Sequence, residues 1–196
     1  MNENSGHHLI LGELTDYITG KIIPDTHDER YRQKIARILV EEKKFSREEI
    51  LPDVLVTAFA GQKRAVIRID FLIVIEGRPA MLIRYGPGSL VTRRRAAIAA
   101  SRVVRQCQIP VVAVTNGETA EILSGTTGTL LGEGFQALPS RPELKALIDG
   151  VPETPVLLEK KERESRILYA FDVDDACPCD DTTCISKFEI EPETGA

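Results

Sequence analysis

RIDFLIVIEGRPAMLIRYGPG, residues 68–88, is the stretch from which the rest of the chain is read. Residues 66–75 are dominated by β-branched and apolar side chains, Glu76-Gly77 supplies a tight turn, and residues 79–85 start a second apolar run. That pattern predicts two antiparallel strands joined by a hairpin. One residue interrupts the first strand: Asp70. A carboxylate inside a buried strand is costly unless it is hydrogen-bonded, paired or bound to a cation. Asp70 therefore either belongs to a site or escapes the core at a sheet edge.

Working outward, residues 28–45 carry Tyr31, Ile35, Ile38 and Leu39 at three- and four-residue spacing, which predicts an amphipathic helix. Asp28 and Glu29 suit its first turn and Lys43-Lys44 its last. Ser46 and Glu49 have the spacing of a capping box. Residues 53–60 read as a strand, 61–64 as a turn and 65–75 as the central strand. After the hairpin come a helix over 92–106, a short buried strand over 110–115, a turn at Asn116-Gly117 and a further strand over 119–123. Residues 125–134 are rich in Gly and Thr and read as a loop or irregular hairpin; without a Gly-Lys-Ser/Thr ending they do not form a phosphate-cradling loop. Ser140 caps a short helix over 141–148, residues 152–155 form a connector, 159–164 are a charge run, and 166–173 read as a last helical turn or an edge strand. Residues 1–26 form a preface that packs on as a strand or short helix. This order predicts an α/β domain over residues 27–150, a mixed sheet flanked by helices, with N- and C-terminal extensions over 1–26 and 151–196.

The Arg-x-Asp strand, the turn at Gly77-Arg78-Pro79 and the element order resemble the N-terminal nuclease-fold domain of type I restriction enzyme restriction subunits. That family belongs to the restriction-endonuclease-like group with the PD-(D/E)xK motif, and the resemblance spans roughly residues 28–123. It implies a restriction-endonuclease-like fold and a Mg²⁺ site in which Asp70 is joined by a Glu-x-Lys on the second strand. Here the Glu position falls on Arg84 and the Lys position on Gly86. The family's first helix carries a Glu near the metal, and Glu29 matches it. The Gln and aromatic residue of the family's later helix correspond to Ala99 and Val103. A guanidinium only donates hydrogen bonds and stays charged, and glycine has no side chain, so the implied constellation is incomplete and Mg²⁺ is not expected there. Asp70 and Arg84 lie on neighbouring strands, where same-face side chains meet, which suits an ion pair with the Arg84 guanidinium in place of the metal, the alternative being that Arg84 faces solvent near the strand end.

Other chemistry has fewer candidates. The formal net charge of −5 gives no bulk attraction to nucleic acid. Locally, Arg93, Arg94, Arg95, Arg102 and Arg105 of the second helix suit phosphate contacts, the alternative being a solvated face. Cys177, Cys179 and Cys184 place three thiols in the tail, suited to Zn²⁺ or an iron–sulfur centre with a fourth ligand from Cys107, His7, His8 or a nearby Asp. Their spacing is tighter than in common zinc motifs, and free thiols in a tail are the alternative. Asp172, Asp174, Asp175, Asp180 and Asp181 do not follow the EF-hand register. No Gly-x-Ser-x-Gly elbow is present, and His27 stands as the only histidine outside the N-terminal pair. No apolar run approaches the roughly 18 residues of a membrane span, and the N-terminus lacks a signal peptide's basic start, so a cytoplasmic location without a membrane partner is expected. These features predict a catalytically degenerate nuclease-fold protein with a binding or accessory role toward DNA or a protein of a restriction or repair system. The alternatives are an active metal-dependent nuclease using Asp70 and Glu29, and a Zn or Fe–S module built on the tail cysteines.

Overall fold

The computed structural model describes residues 10–174. A short hairpin of β1 (Glu13–Thr15) and β2 (Ile22–Pro24) opens the described chain and forms its own two-stranded sheet. Its turn is organised by buried Asp16, whose carboxylate accepts hydrogen bonds from the backbone of Ile18 and Thr19 and from the Thr19 hydroxyl. Gln33 donates to the other carboxylate oxygen at 2.7 Å and so ties the hairpin to the helix that follows. That helix, α1 (His27–Arg37), starts at Thr26, whose hydroxyl accepts from the Glu29 backbone N–H. The helical path continues over Ile38–Glu42 as a wider π turn, and Lys44 at φ 66° ends it, a little short of the predicted limit.

The main sheet has six strands in the order of the chain: β3 (Ile50–Ala60), β4 (Lys63–Ile75), β5 (Arg78–Tyr85), β6 (Val111–Thr115), β7 (Ala120–Ser124) and β8 (Leu130–Glu133). Every neighbouring pair is antiparallel except β5 with β6, which are parallel. Parallel neighbours need a crossover, supplied by helix α2 (Val91–Val103). The β4–β5 hairpin turns on Glu76 at φ 52° and Gly77 at φ 81°, the two positive values that let a two-residue turn follow the sheet's twist. Strand β8 lies in the stretch read as a loop or irregular hairpin, and a register shift beside Leu123 makes the β7–β8 hairpin irregular.

Helices cover both faces of the sheet. On one side Ile35, Ala36 and Leu39 of α1 meet Leu144 and Ile148 of α3 (Arg141–Asp149) over Phe71, Ile73 and Ile83. On the other, α2 and α4 (Leu158–Asp174) pack over Ile67, Ile69, Leu72 and Leu82. The mixed sheet flanked by helices is the expected α/β architecture. The charge run at 159–164 and the segment after it form a single helix, which the sequence left divided between a charge run and a turn or edge strand. Charge concealed its inner stripe: Glu164 is only 6% exposed, and beside it Ser165, Leu168 and Tyr169 are buried. Among the described residues no helix is long and apolar enough to cross a membrane.

One irregularity sets the position of everything near Asp70. On β4, Ala65, Ile67 and Ile69 face the α2/α4 layer, whereas Phe71, Ile73 and Ile75 face the α1/α3 layer. Side chains alternate strictly along a regular strand, so the strand must switch faces between residues 69 and 71. Strand β3 does the same, with Val54, Val56 and Ala58 on one side and Ile50 on the other. The ladder pairs Val54 with Ile69 and Pro52 with Phe71, so the switch is at Asp53 and Asp70; Asp53 is in the left-handed region at φ 54°.

Buried Glu164 accepts from Arg95 at 2.6 Å and from Arg102 at 2.7 Å. Burial opposes its ionisation, but the two guanidinium groups prevail and hold its carboxyl below the usual 4.5. A depressed folded-state pKa contributes stability above the unfolded value that is lost as pH falls through the folded one. Glu164→Gln is expected to cost roughly 3 kcal/mol in urea unfolding at pH 7. The gap between variant and wild type should narrow below about pH 4.5.

Candidate functional site

Asp70 is 6% exposed and lies near the β4 end of the face switch. One carboxylate oxygen accepts from the Tyr85 backbone N–H at 2.8 Å. The other lies 3.0 Å from Nε of Arg32, on α1. Arg32 is itself only 4% exposed, and its guanidinium is met by two further carboxylates: Nη1 donates to Glu29 at 2.8 Å and Nη2 to Asp53 at 2.5 Å. Arg68 approaches the same Asp53 oxygen at 3.4 Å, and Gln33 donates to the second oxygen of Glu29. The Arg32 plane also approaches the Phe71 ring, 5.7 Å from its centroid. Burial would favour deprotonating Arg32, but Asp70, Glu29 and Asp53 outweigh it and raise its pKa further.

The predicted Asp70–Arg84 pair does not form. Arg84 shares the face of Leu82, toward α4, and its two Nη groups bind both oxygens of Asp172 at 2.9 and 3.0 Å. In an unbroken strand Asp70 would share the face of Leu72 and hence that of Arg84. The switch carries Asp70 to the α1 face, where Arg32 meets it. The cation was expected on the neighbouring strand, and it comes from a helix. A polar residue on the inner face of α1 was the available signal, since Arg32 follows Tyr31 directly and is one turn before Ala36.

Gly86 lies beneath a side chain from the next helix. The guanidinium of Arg93 lies over it, so that a Cβ built at Gly86 would be 2.5 Å from Cζ of Arg93. Nη2 of Arg93 donates to the Pro87 carbonyl at 3.0 Å. Beside this loop the Tyr85 hydroxyl donates to Asp28, and its ring stacks on Tyr31 with centroids 6.0 Å apart. Burial and the Asp28 carboxylate push the Tyr85 phenol far above its ordinary value. The Tyr31 ring occupies the space beside Gly117, in the Asn116-Gly117 turn, whose carbonyl accepts from Lys34. These groups converge where the parallel strands β5 and β6 end, the usual position of a site in an open α/β sheet.

The basic residues of α2 are largely engaged within the protein. Arg94 binds both oxygens of Glu121 at 2.6 Å, and Arg95 and Arg102 share Glu164. Arg102 also donates to the carbonyls of Gly125 and Thr126. The helix expected over 92–106 stops at Val103, so Arg105 lies beyond it and donates to the Val104 carbonyl. The structure thus brings Glu29 and Asp70 to one guanidinium, while Arg84 and the α2 arginines are elsewhere. Among the described residues no group of three or more His, Cys, Asp or Glu side chains is arranged to hold a metal ion. Cys177, Cys179, Cys184, His7 and His8 lie outside the described residues. A divalent cation does not fit between Glu29, Asp53 and Asp70 as they stand, because the N–H groups of Arg32 occupy the space between their oxygens.

The family model for the type I restriction enzyme R protein N terminus matches residues 27–139, more than half of the chain. No curated protein and no solved structure matches.

The Arg32 cluster is expected to behave as a coupled unit. Arg32→Met should lower unfolding stability by about 3–5 kcal/mol, since it leaves buried acid without its cation. Adding Asp70→Asn should recover part of that loss, giving a coupling of roughly 1–3 kcal/mol in a double-mutant cycle by urea titration. Strictly additive losses would refute direct contact.

Proposed function

From its place in the type I restriction enzyme R protein N-terminus family, to which this chain belongs, we propose that the domain is a catalytically degenerate nuclease fold with a binding or accessory role. The observation that carries this reading is Arg32, a buried guanidinium held by Glu29, Asp53 and Asp70. Nucleases of this kind use carboxylates to hold a hydrated cation that activates water and stabilises charge. Arg32 supplies the countercharge without coordination positions. It neutralises the carboxylates and keeps the fold, but it can neither ligate water nor lower its pKa. Arg84 and Gly86 support the same reading, since neither supplies a ligand or a catalytic amine.

The binding role is directed toward DNA or a protein of a restriction or repair system. Arg93 at the start of α2 and Arg105 just beyond its end suit an external phosphate better than Arg94, Arg95 and Arg102, which are paired with Glu121 and Glu164. The convergence of Glu29 and Asp70 on one point favours one alternative, an active nuclease in which Arg32 moves aside for a metal.

Calorimetry with Mn²⁺ and Mg²⁺ on wild type, Arg32→Ala and Arg32→Ala/Asp70→Ala, paired with a plasmid-cleavage assay, tests the two. The degenerate reading expects no binding or cleavage by wild type. It also expects a new Mn²⁺ site in folded Arg32→Ala that disappears when Asp70 is replaced. Metal-dependent cleavage by wild type that is lost with Asp70→Ala would overturn it.

A further inference from the structure

The outer edge of β3 carries chemistry that the Asp70 cluster does not use. Main-chain hydrogen-bonding groups alternate in direction along a strand. The Phe59 N–H points away from β4 and donates to the Ser165 hydroxyl at 2.6 Å, which sets the phase of that alternation. By the same phase the N–H and C=O groups of Leu55 and Thr57 point outward, and among the described residues nothing bonds to them. Their flanks are closed. Pro52 has no N–H, Asp53 bends the strand at φ 54°, and Ser165 occupies the Phe59 donor. The edge is therefore open only around Val56.

Apolar surface surrounds this window. Leu55 is 65% and Phe59 51% exposed, on the face away from the α2/α4 core. A groove of about 940 Å³ runs beside it, lined by Leu55, Phe59 and Val103 and by Leu158 of α4. Lys161, Glu162 and Arg166 line the same groove, so it carries both signs of charge.

We propose that this edge pairs with the same edge of a second copy of the chain, β3 running antiparallel to β3 about a two-fold axis at Val56. Leu55 of each copy then lies opposite Thr57 of the other, and each such pair exchanges N–H and C=O bonds. Diagonal neighbours on the shared face bring Leu55 and Phe59 of both copies into one apolar cluster. Mixed charge in the groove lets Glu162 of one copy meet Lys161 or Arg166 of the other. A two-fold contact requires a patch complementary to itself. Matched donors and acceptors on two residues, a paired apolar surface and charges of both signs satisfy that requirement. A nucleic acid would call for cations without the acid. The closed flanks limit the pairing to a dimer and deny it the length of an aggregating edge.

Sedimentation velocity on the full chain across a wide concentration range tests this, with circular dichroism as the check on folding. Thr57→Pro removes an outward N–H and leaves the β4 ladder intact, and Leu55→Asp charges the apolar cluster. Wild type is expected to dimerise, Thr57→Pro to dimerise about tenfold more weakly or worse, and folded Leu55→Asp to stay monomeric. A wild-type chain that stays monomeric overturns the proposal and leaves the edge to an extended segment of another protein. A dimer that survives both substitutions overturns it equally.

Discussion

The face switch at Asp53 and Asp70 is the constraint on which the site depends. The left-handed conformation of Asp53 at φ 54° costs less than the roughly 1–2 kcal/mol of a bulkier residue, since a short carboxylate tolerates it, but it is still not ordinary strand backbone. It persists here because the Asp53 carboxylate is held by Arg32 and approached by Arg68. The same switch carries Asp70 onto the α1 side of the sheet. Strain and charge pairing are thus coupled: the left-handed residue brings the acids together, and the guanidinium that gathers them offsets the cost of the bend. Helix α1 can present Arg32 there because Thr26 fixes its start and Gln33 ties it to the Asp16 turn.

Arg84 and Arg93, near the end of β5, take part in internal contacts. Arg84 clamps α4 to the sheet through Asp172, and Arg93 fills the space above Gly86. On the proposed reading, loss of the metal-binding residues is coupled to gain of tertiary contacts by the residues that replaced them. Reversal would then require more than restoring Glu at position 84 and Lys at 86. A Glu at 84 would face Asp172, where like charges repel, and a Lys at 86 would displace the Arg93 guanidinium.

The arginines of α2 follow a similar logic. Each of the carboxylates Glu121 and Glu164 is mostly buried, and a buried acid needs a cation. Arg94, Arg95 and Arg102 meet that need and tie α2 to the sheet and to α4. In a protein with formal charge −5, three of these arginines have carboxylate partners within the fold.

The hairpin at 68–88, the strand–hairpin–helix–strand order and the mixed α/β sheet were legible in the chain, because short apolar runs and turn residues act locally. The sequence also singled out Asp70 as an acid that either belongs to a site or escapes the core, and the structure buries it. Which cation meets Asp70 could not be read locally. Strict alternation placed Arg84 beside Asp70, and no local pattern announces that two adjacent strands change faces together at Asp53 and Asp70. Helix α4 was hidden for a related reason: its buried stripe includes Glu164, which reads as solvent-facing until Arg95 and Arg102 arrive from another helix. Periodicity records which residues are apolar. Which charges are buried depends on partners 38 residues away, as for Arg32 and Asp70, or 69, as for Arg95 and Glu164, and only the folded chain brings those together.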